Sequence, residues 1–304
     1  MQDLLIVFNT YGTKDNHTHY ERCIQSILDC DLPEGTKIAV SSCNNSKICR
    51  EYLKFIFKDK IIISEINIAL PVNITFNLTV KRCVKMFGEF KNYLYVDSGV
   101  DFLSNEGAIK EAVEAMNSNK YAMLSFQICN DNALYNVGIH NPPLLGQNHE
   151  VPVGTACNGH AEMFSNDIFK RFNGLLMPDV FAACCTESTF SFVSASVGKR
   201  WVILKDYLLN HAKGVDGASS CVPHVSPVHH NTWNNLLFGR NAEEFINDTE
   251  ALVAGLGYEE CNSIMIHDNN AYTVDGLPKN KERLSLVVEK YFYSTKEELN
   301  YENL

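Results

Sequence analysis

Asp97 and Asp101 close an apolar, β-prone run, Tyr93-Leu94-Tyr95-Val96-Asp97-Ser98-Gly99-Val100-Asp101-Phe102, with three small or apolar residues between them. Such a run predicts a buried strand that ends by delivering two carboxylates to one edge of a sheet. In open α/β sheets ligands bind beyond the carboxyl ends of the strands, and carboxylates held there suit a hard divalent cation that grips phosphate oxygens. The competing reading is a polar turn after a core strand, so the flanking elements decide.

Those elements alternate. Residues 4–8 are a continuous apolar run, and residues 20–28 follow with Cys23, Ile24, Ile27 and Leu28 at the helical period. Residues 37–42 repeat the strand pattern, 41–46 form a turn holding a helix-capping candidate, and 48–57 are amphipathic. A strand at 61–64 and a helix at 75–87 lead into the acidic run. Strands alternating with helices require crossover connections, hence a mostly parallel, Rossmann-like α/β sheet with flanking helices. Further on, a helix is predicted at 106–116 and strands at 121–126, 160–164 and 201–204, with a short helix at 167–172. A loop-rich stretch around Pro142, Pro143 and Pro152 lies where loops shape substrate sites. The last third reads as His- and Asn-rich loops followed by helices at 242–254 and 281–291. Residues 1–217 are therefore expected to form the main domain, with 218–304 as a loop-rich, helical appendage packed on it.

Bulk properties narrow the partners. Hydrophobic residues make up 45% and charged residues 20% of the 304, and no apolar run reaches the roughly 18 residues that span a bilayer. The first residues, Met1 to Phe8, lack the basic start and longer apolar core of a secretory signal. The 11 cysteines are odd in number and show no framework spacing, which predicts reduced thiols and a cytoplasmic setting. The triplets Asn73-Ile74-Thr75 and Asn77-Leu78-Thr79 are then chance matches to a glycosylation pattern. A formal charge of −10 weighs against a protein built to grip a polyanion.

In this order of features the chain resembles nucleotide-sugar glycosyltransferases of the GT-A fold, the broad family 2-like group, over residues 3–215. Residues 4–10, ending Phe8-Asn9-Thr10, match the first strand and donor loop. Ser41-Ser42-Cys43-Asn44-Asn45-Ser46 matches the turn that faces base and ribose, and Asp97-Ser98-Gly99-Val100-Asp101 stands where the family has Asp-Xaa-Asp. The resemblance implies transfer of a sugar from a nucleoside-diphosphate donor to an acceptor hydroxyl, with Mn²⁺ or Mg²⁺ as cofactor. It implies donor contacts from Asn9, Thr10, Tyr11, Ser42, Asn44 and Asp97. After Phe172-Asn173-Gly174, the segment Thr186-Glu187-Ser188-Thr189 replaces the family's Glu-Asp pair, so Glu187 is the implied general base and the reaction would invert. If Glu187 instead caps a helix or pairs with Arg171 or Lys199, a retaining course stays open. His211 resembles the late metal-binding histidine of some members, and Lys213 beside it is placed to meet diphosphate oxygens or simply to be solvated. A set of Asp97 and/or Asp101 with His211 leans toward manganese; Asp97 is expected on the sugar or ribose and Asp101 on the metal.

Other clusters carry plainer readings. Cys157, His160, Cys184 and Cys185 lack paired Cys-Xaa-Xaa-Cys elements, so burial outweighs zinc. His224, His229 and His230 near Trp233 either face the acceptor or decorate a surface, and Tyr11 and Tyr135 are loop aromatics able to stack on a sugar or base. Two rival functions remain: a nucleotidyltransferase acting on sugar phosphates, against which the loop Asn9-Thr10-Tyr11-Gly12-Thr13 lacks the expected Gly-rich basic pattern, and a noncatalytic nucleotide-sugar or glycan-binding module. The acceptor is open among a glycan, a lipid-linked sugar, a protein and a hydroxymethylated DNA base, with no integral membrane segment in the chain.

Overall fold

The computed structural model describes residues 1–11, 17–67, 70, 72–130, 133–134, 149–151, 160–179, 190–211, 264–266, 272–274, 285, 288–289 and 292. The first units follow the alternating pattern: β1 (Gln2–Tyr11), α1 (His17–Leu28), β2 (Lys37–Cys43), α2 (Lys47–Phe57), a 3-10 turn (Lys58–Lys60), β3 (Ile62–Ile66), α3 (Val72–Phe87) and β4 (Phe90–Val96). α2 starts where the turn chemistry says it should, since the Ser46 hydroxyl accepts from the Cys49 N–H at 3.1 Å. Then come β5 (Val100–Asp101), α4 (Ala108–Asn117), β6 (Tyr121–Asn130), β7 (Ala133–Leu134), β8 (His149–Val151), β9 (Ala161–Ser165), α5 (Asn166–Arg171), α6 (Phe190–Ser196) and β10 (Arg200–His211). A separate antiparallel pair joins β11 (Ile264–Ile266) to β12 (Tyr272–Val274).

Among the described residues the main sheet runs β3-β2-β1-β4-β9-β6-β10-β5, with β7 on β6 and β8 on β10. It is parallel across β3, β2, β1 and β4 and again between β6 and β10. β9 enters antiparallel to both β4 and β6. The reversal of β9 puts the residue that precedes it at the carboxyl end of β4.

Two apolar layers sandwich the sheet. In β4, Leu94 and Val96 face one layer with α1, α2 and α4, while Tyr93 and Tyr95 face the other with α3, α5 and α6. That alternation is the pleat of a strand buried on both faces. Strand and helix assignments from the sequence differ from the structure mainly at element ends. The predicted strand at 201–204 extends over all of β10, and among the described residues the helix after Glu187 begins at Phe190.

The amino-terminal part of α3, residues 73–80, is buried, and its asparagines bond within the fold. Asn77 Oδ1 accepts from the Leu176 and Met177 N–H groups at 3.1 Å each, while its Nδ2 donates to the Met177 carbonyl at 2.8 Å. Asn73 Nδ2 donates to the Pro178 carbonyl at 2.7 Å. Both amides of the glycosylation-like triplets are thus fully buried and engaged.

Of the predicted helix at 281–291, Ser285, Val288 and Glu289 are described and helical; the prediction at 242–254 lies outside the described residues. Val288 and Phe292 are fully buried in the same apolar layer as α3, with the Phe292 ring stacked on Phe172 at 3.9 Å. Arg171 reaches Ser285 at 2.9 Å and Glu289 at 3.4 Å.

Candidate functional site

Asp97 follows the last residue of β4 and opens a tight turn, with the Val100 N–H donating to its carbonyl at 3.0 Å. Its own N–H donates to the His160 carbonyl at 2.8 Å, which ties the turn to the start of β9. The two carboxylate oxygens have separate partners. Oδ1 accepts from the Ser98 N–H at 2.8 Å, whereas Oδ2 lies 3.3 Å from both His160 Nδ1 and His211 Nε2. The two imidazole rings sit 4.2 Å apart, tilted by 32°.

These three ligand-capable atoms lie within 4.8 Å of one another. All three side chains are half-buried, with Asp97 18% exposed. Gly99 makes the approach of His211 feasible, since a Cβ there would meet His211 Nε2 at 2.8 Å. Burial pushes the Asp97 carboxyl up, but hydrogen bonds from His160 and His211, reinforced by their charge, win and hold it well below the usual carboxylate range.

α1 braces the turn from behind. His19 Nε2 lies 2.9 Å from the Ser98 carbonyl, which can only accept, so that nitrogen carries the proton. Burial is the main influence lowering the His19 pKa, favouring its neutral form. One turn on, Arg22 stands 3.5 Å from Asp101, and one turn further the Ser26 hydroxyl accepts from the Phe102 N–H at 2.9 Å. Cys23 is beside them, but burial pushes its thiol up to about 12, which excludes a thiolate nucleophile.

Asp101 stands apart from the group that its neighbours form. It is 2% exposed, and its Oδ2 accepts from Asn210 Nδ2 at 3.3 Å in addition to facing Arg22. The expectation put Asp97 on the sugar or ribose and Asp101 on the metal; in the structure Asp97 is the carboxylate that meets the histidines. The physical reason is the tight turn, which aims Asp97 at the end of β4 and carries Asp101 into β5, where β10 pairs with it.

The residues expected to form the donor loop are largely committed to one another. Asn9 Oδ1 accepts from the Thr75 hydroxyl at 3.1 Å, and Thr10 Oγ1 lies 2.6 Å from Asn45 Oδ1. Ser42 Oγ donates to the same Asn45 oxygen at 2.9 Å. Asn9, Thr10 and Ser42 are buried, so they shape the loop edge from within. Tyr11 is half-buried, and its carbonyl accepts from the Tyr20 hydroxyl at 3.1 Å. Asn44 takes a left-handed conformation (φ 54°) and donates its N–H to Ile66 at 2.7 Å. Glu187, Lys213, Tyr135, Cys157, Cys184, Cys185, His224, His229, His230 and Trp233 lie outside the described residues.

His160, grouped with cysteines in the sequence reading, stands instead beside Asp97 and His211. In an all-parallel sheet a residue just ahead of a strand lies at the amino edge, away from any ligand. The antiparallel pairing of Val96 with Ala161 puts it at the opposite edge. The signal available was a histidine bordering a strand that follows a long loop.

No protein-family model and no curated protein sequence matches the chain. Solved structures do. S. aureus TarS 1-349 in complex with UDP-GlcNAc is 16% identical, with a TM-score of 0.56 over 82% of this chain and 70% of that one. Mannosyltransferase PcManGT from Pyrobaculum calidifontis, in complex with GDP-Man and Mn²⁺, is 12% identical, with a TM-score of 0.50 over 75% of this chain and 63% of that one. GalNAc-T7 with UDP, GalNAc and Mn²⁺ is 10% identical, with a TM-score of 0.52 over 70% and 44%. At such identities the likeness is one of architecture: the chain has the GT-A fold, an α/β sheet with flanking helices that these glycosyltransferases share.

Proposed function

We propose that this chain is a metal-dependent glycosyltransferase that moves a sugar from a nucleoside-diphosphate donor to an acceptor hydroxyl with inversion. The observation that carries this reading is the convergence of Asp97 Oδ2, His160 Nδ1 and His211 Nε2 within 4.8 Å, beside the carboxyl end of β4. Metal–ligand bonds of about 2.1 Å bring neighbouring ligands to about 3 Å of one another, close to the 3.3 Å separations here. Two imidazoles and one carboxylate suit Mn²⁺ better than Mg²⁺, which prefers oxygen. The Mn²⁺ and sugar nucleotides in the complexes of structurally similar proteins support the same choice. When bound, such a cation neutralises the charge that develops on a departing diphosphate.

The chain's own residues supply the rest. The Ser98 N–H fixes the Asp97 carboxylate, and Gly99 leaves room for the His211 ring. Tyr11 and Asn44 border the donor side, with Asn9, Thr10 and Ser42 holding that edge in shape. Glu187 removes the acceptor proton as the oxygen attacks the anomeric carbon from the face opposite the leaving group. Lys213, two residues beyond His211, meets diphosphate oxygens. Residues 1–217 form the catalytic unit and 218–304 an extension, of which Val288 and Phe292 share its core.

The setting is cytoplasmic, in keeping with the cysteine pattern; among the described residues no helix is long and apolar enough to cross a membrane. The acceptor is a glycan, lipid-linked sugar or protein, the net charge of −10 weighing against a DNA base. A screen of uridine and guanosine diphosphate sugars with Mn²⁺ tests the reading, by thermal shift and by product analysis. A donor at 100 times its Kd stabilises the fold by about 2.7 kcal/mol. Release of nucleoside diphosphate supports a transferase, pyrophosphate points to a nucleotidyltransferase, and binding without turnover points to a recognition module.

A further inference from the structure

β10 reaches the site only after losing step with its neighbour. It pairs parallel with β6 up to Leu204 opposite Phe126 and resumes at Leu208 opposite Gln127, so residues 205–207 stand out of the ladder. Within this bulge Asp206 is left-handed (φ 65°), and the Tyr207 hydroxyl is anchored on Glu111 of α4 at 3.2 Å. Bulges of this kind re-aim the strand beyond them. The four residues that follow end in His211, so the accuracy with which its imidazole meets Asp97 depends on what fixes the strand after the bulge.

The other neighbour of that tail is β5, two residues long, with Asn210 opposite Asp101 and His211 opposite Val100. Asp101 adds a side-chain bond to this register by accepting from Asn210 Nδ2, the residue next to His211. The turn that carries Asp101 is itself held by His19, Arg22 and Ser26 of α1. A buried carboxylate is retained where its charge has partners, and both partners of this one, Asn210 and Arg22, meet the same oxygen.

Resting on the reading that Asp97, His160 and His211 hold a divalent cation, we propose that Asp101 is a positioning residue and not a ligand. It locks the tail of β10 through Asn210 and so sets the distance from His211 Nε2 to Asp97 Oδ2. The two carboxylates of the Asp97–Asp101 turn then divide the work, one meeting the cation and the other aligning the histidine that joins it.

The test uses the full chain with Co²⁺ and Mn²⁺ as probes. Asp101→Ala and Asn210→Ala are each expected to weaken binding about tenfold, and the double variant no further, because both remove one link. Asp101→Asn keeps an acceptor for Asn210 and is expected to stay within about threefold of the parent, with the visible Co²⁺ bands unchanged. Hydrogen exchange in metal-free protein is expected to speed up at residues 207–211 in Asp101→Ala and to remain slow in Asp101→Asn. A Co²⁺ spectrum altered by Asp101→Asn as it is by Asp97→Asn, or additive losses in the double variant, would overturn the proposal. So would unchanged exchange at the β10 tail. If the parent binds neither metal, the metal reading itself fails, while the exchange measurement still decides whether Asp101 anchors the strand.

Discussion

The two halves of the sheet use their polar residues in opposite ways. At the carboxyl edge of β1 and β2, Asn9, Thr10, Ser42 and Asn45 bond to each other and to α3, so the polarity is structural. At the edge shared by β4, β9 and β10, one carboxylate oxygen meets two imidazoles, an arrangement with room for a cation between ligands. The first region derives its polarity from regular parallel strands. The second depends on two irregularities, a reversed strand and a bulge, which bring residues distant in sequence to Asp97. Polar residues at a strand end are thus framework when their partners are buried neighbours, and chemical when they converge on one another from different elements.

Five substitutions separate these roles. His160→Ala and His211→Ala should weaken Mn²⁺ binding by at least roughly 100-fold in titration calorimetry, exceeding the losses typical of supporting residues, with little change in melting temperature. Asn45→Ala should do the reverse. It strands the Ser42 hydroxyl and leaves that of Thr10 with the Ser41 carbonyl alone, costing about 1–3 kcal/mol in denaturant unfolding and leaving the Mn²⁺ affinity within about twofold. A large loss of metal affinity there would erase the distinction between the two regions.

Gly99→Ala sharpens the contrast on a single methyl group. Its Cβ falls 2.8 Å from His211 Nε2, so the ring must shift, and an affinity loss of about tenfold is expected by the same titration. The smallest effect concerns acid. A carboxyl held below its unfolded value stabilises the fold above that value, about 3.9, and the contribution disappears as pH falls toward the folded one. Metal-free protein should therefore lose stability below about pH 4 less steeply in Asp97→Asn than in the parent, as read from melting curves across pH.

Much of the framework was legible because periodicity is a local property. The apolar runs before Asn9 and Asp97 and the amphipathic spacing of Cys23, Ile24 and Ile27 report burial directly, and Ser46 announces the start of α2. Asp97 and His211, which the structure brings within 3.3 Å of one another, were legible as candidate ligands. The place of His160 beside them was not, because strand direction is decided by pairing across the sheet, which no window around residue 160 contains. Asp101 shows a related limit: its spacing from Asp97 looks like a ligand pair, while Arg22 and Asn210, which meet its carboxylate, lie 79 and 109 positions away. Nor could the bonds of Thr10 and Ser42 to Asn45 be read from the sequence.

In the proposed function, donor turnover depends on a cation held by Asp97, His160 and His211. Nucleoside-diphosphate release from uridine and guanosine diphosphate sugars, measured with Mn²⁺ for the parent and for His160→Ala, tests it most directly. Release by the parent that chelation abolishes and that His160→Ala lacks is expected. Parent turnover that persists in chelator, or equal turnover by His160→Ala, would contradict it.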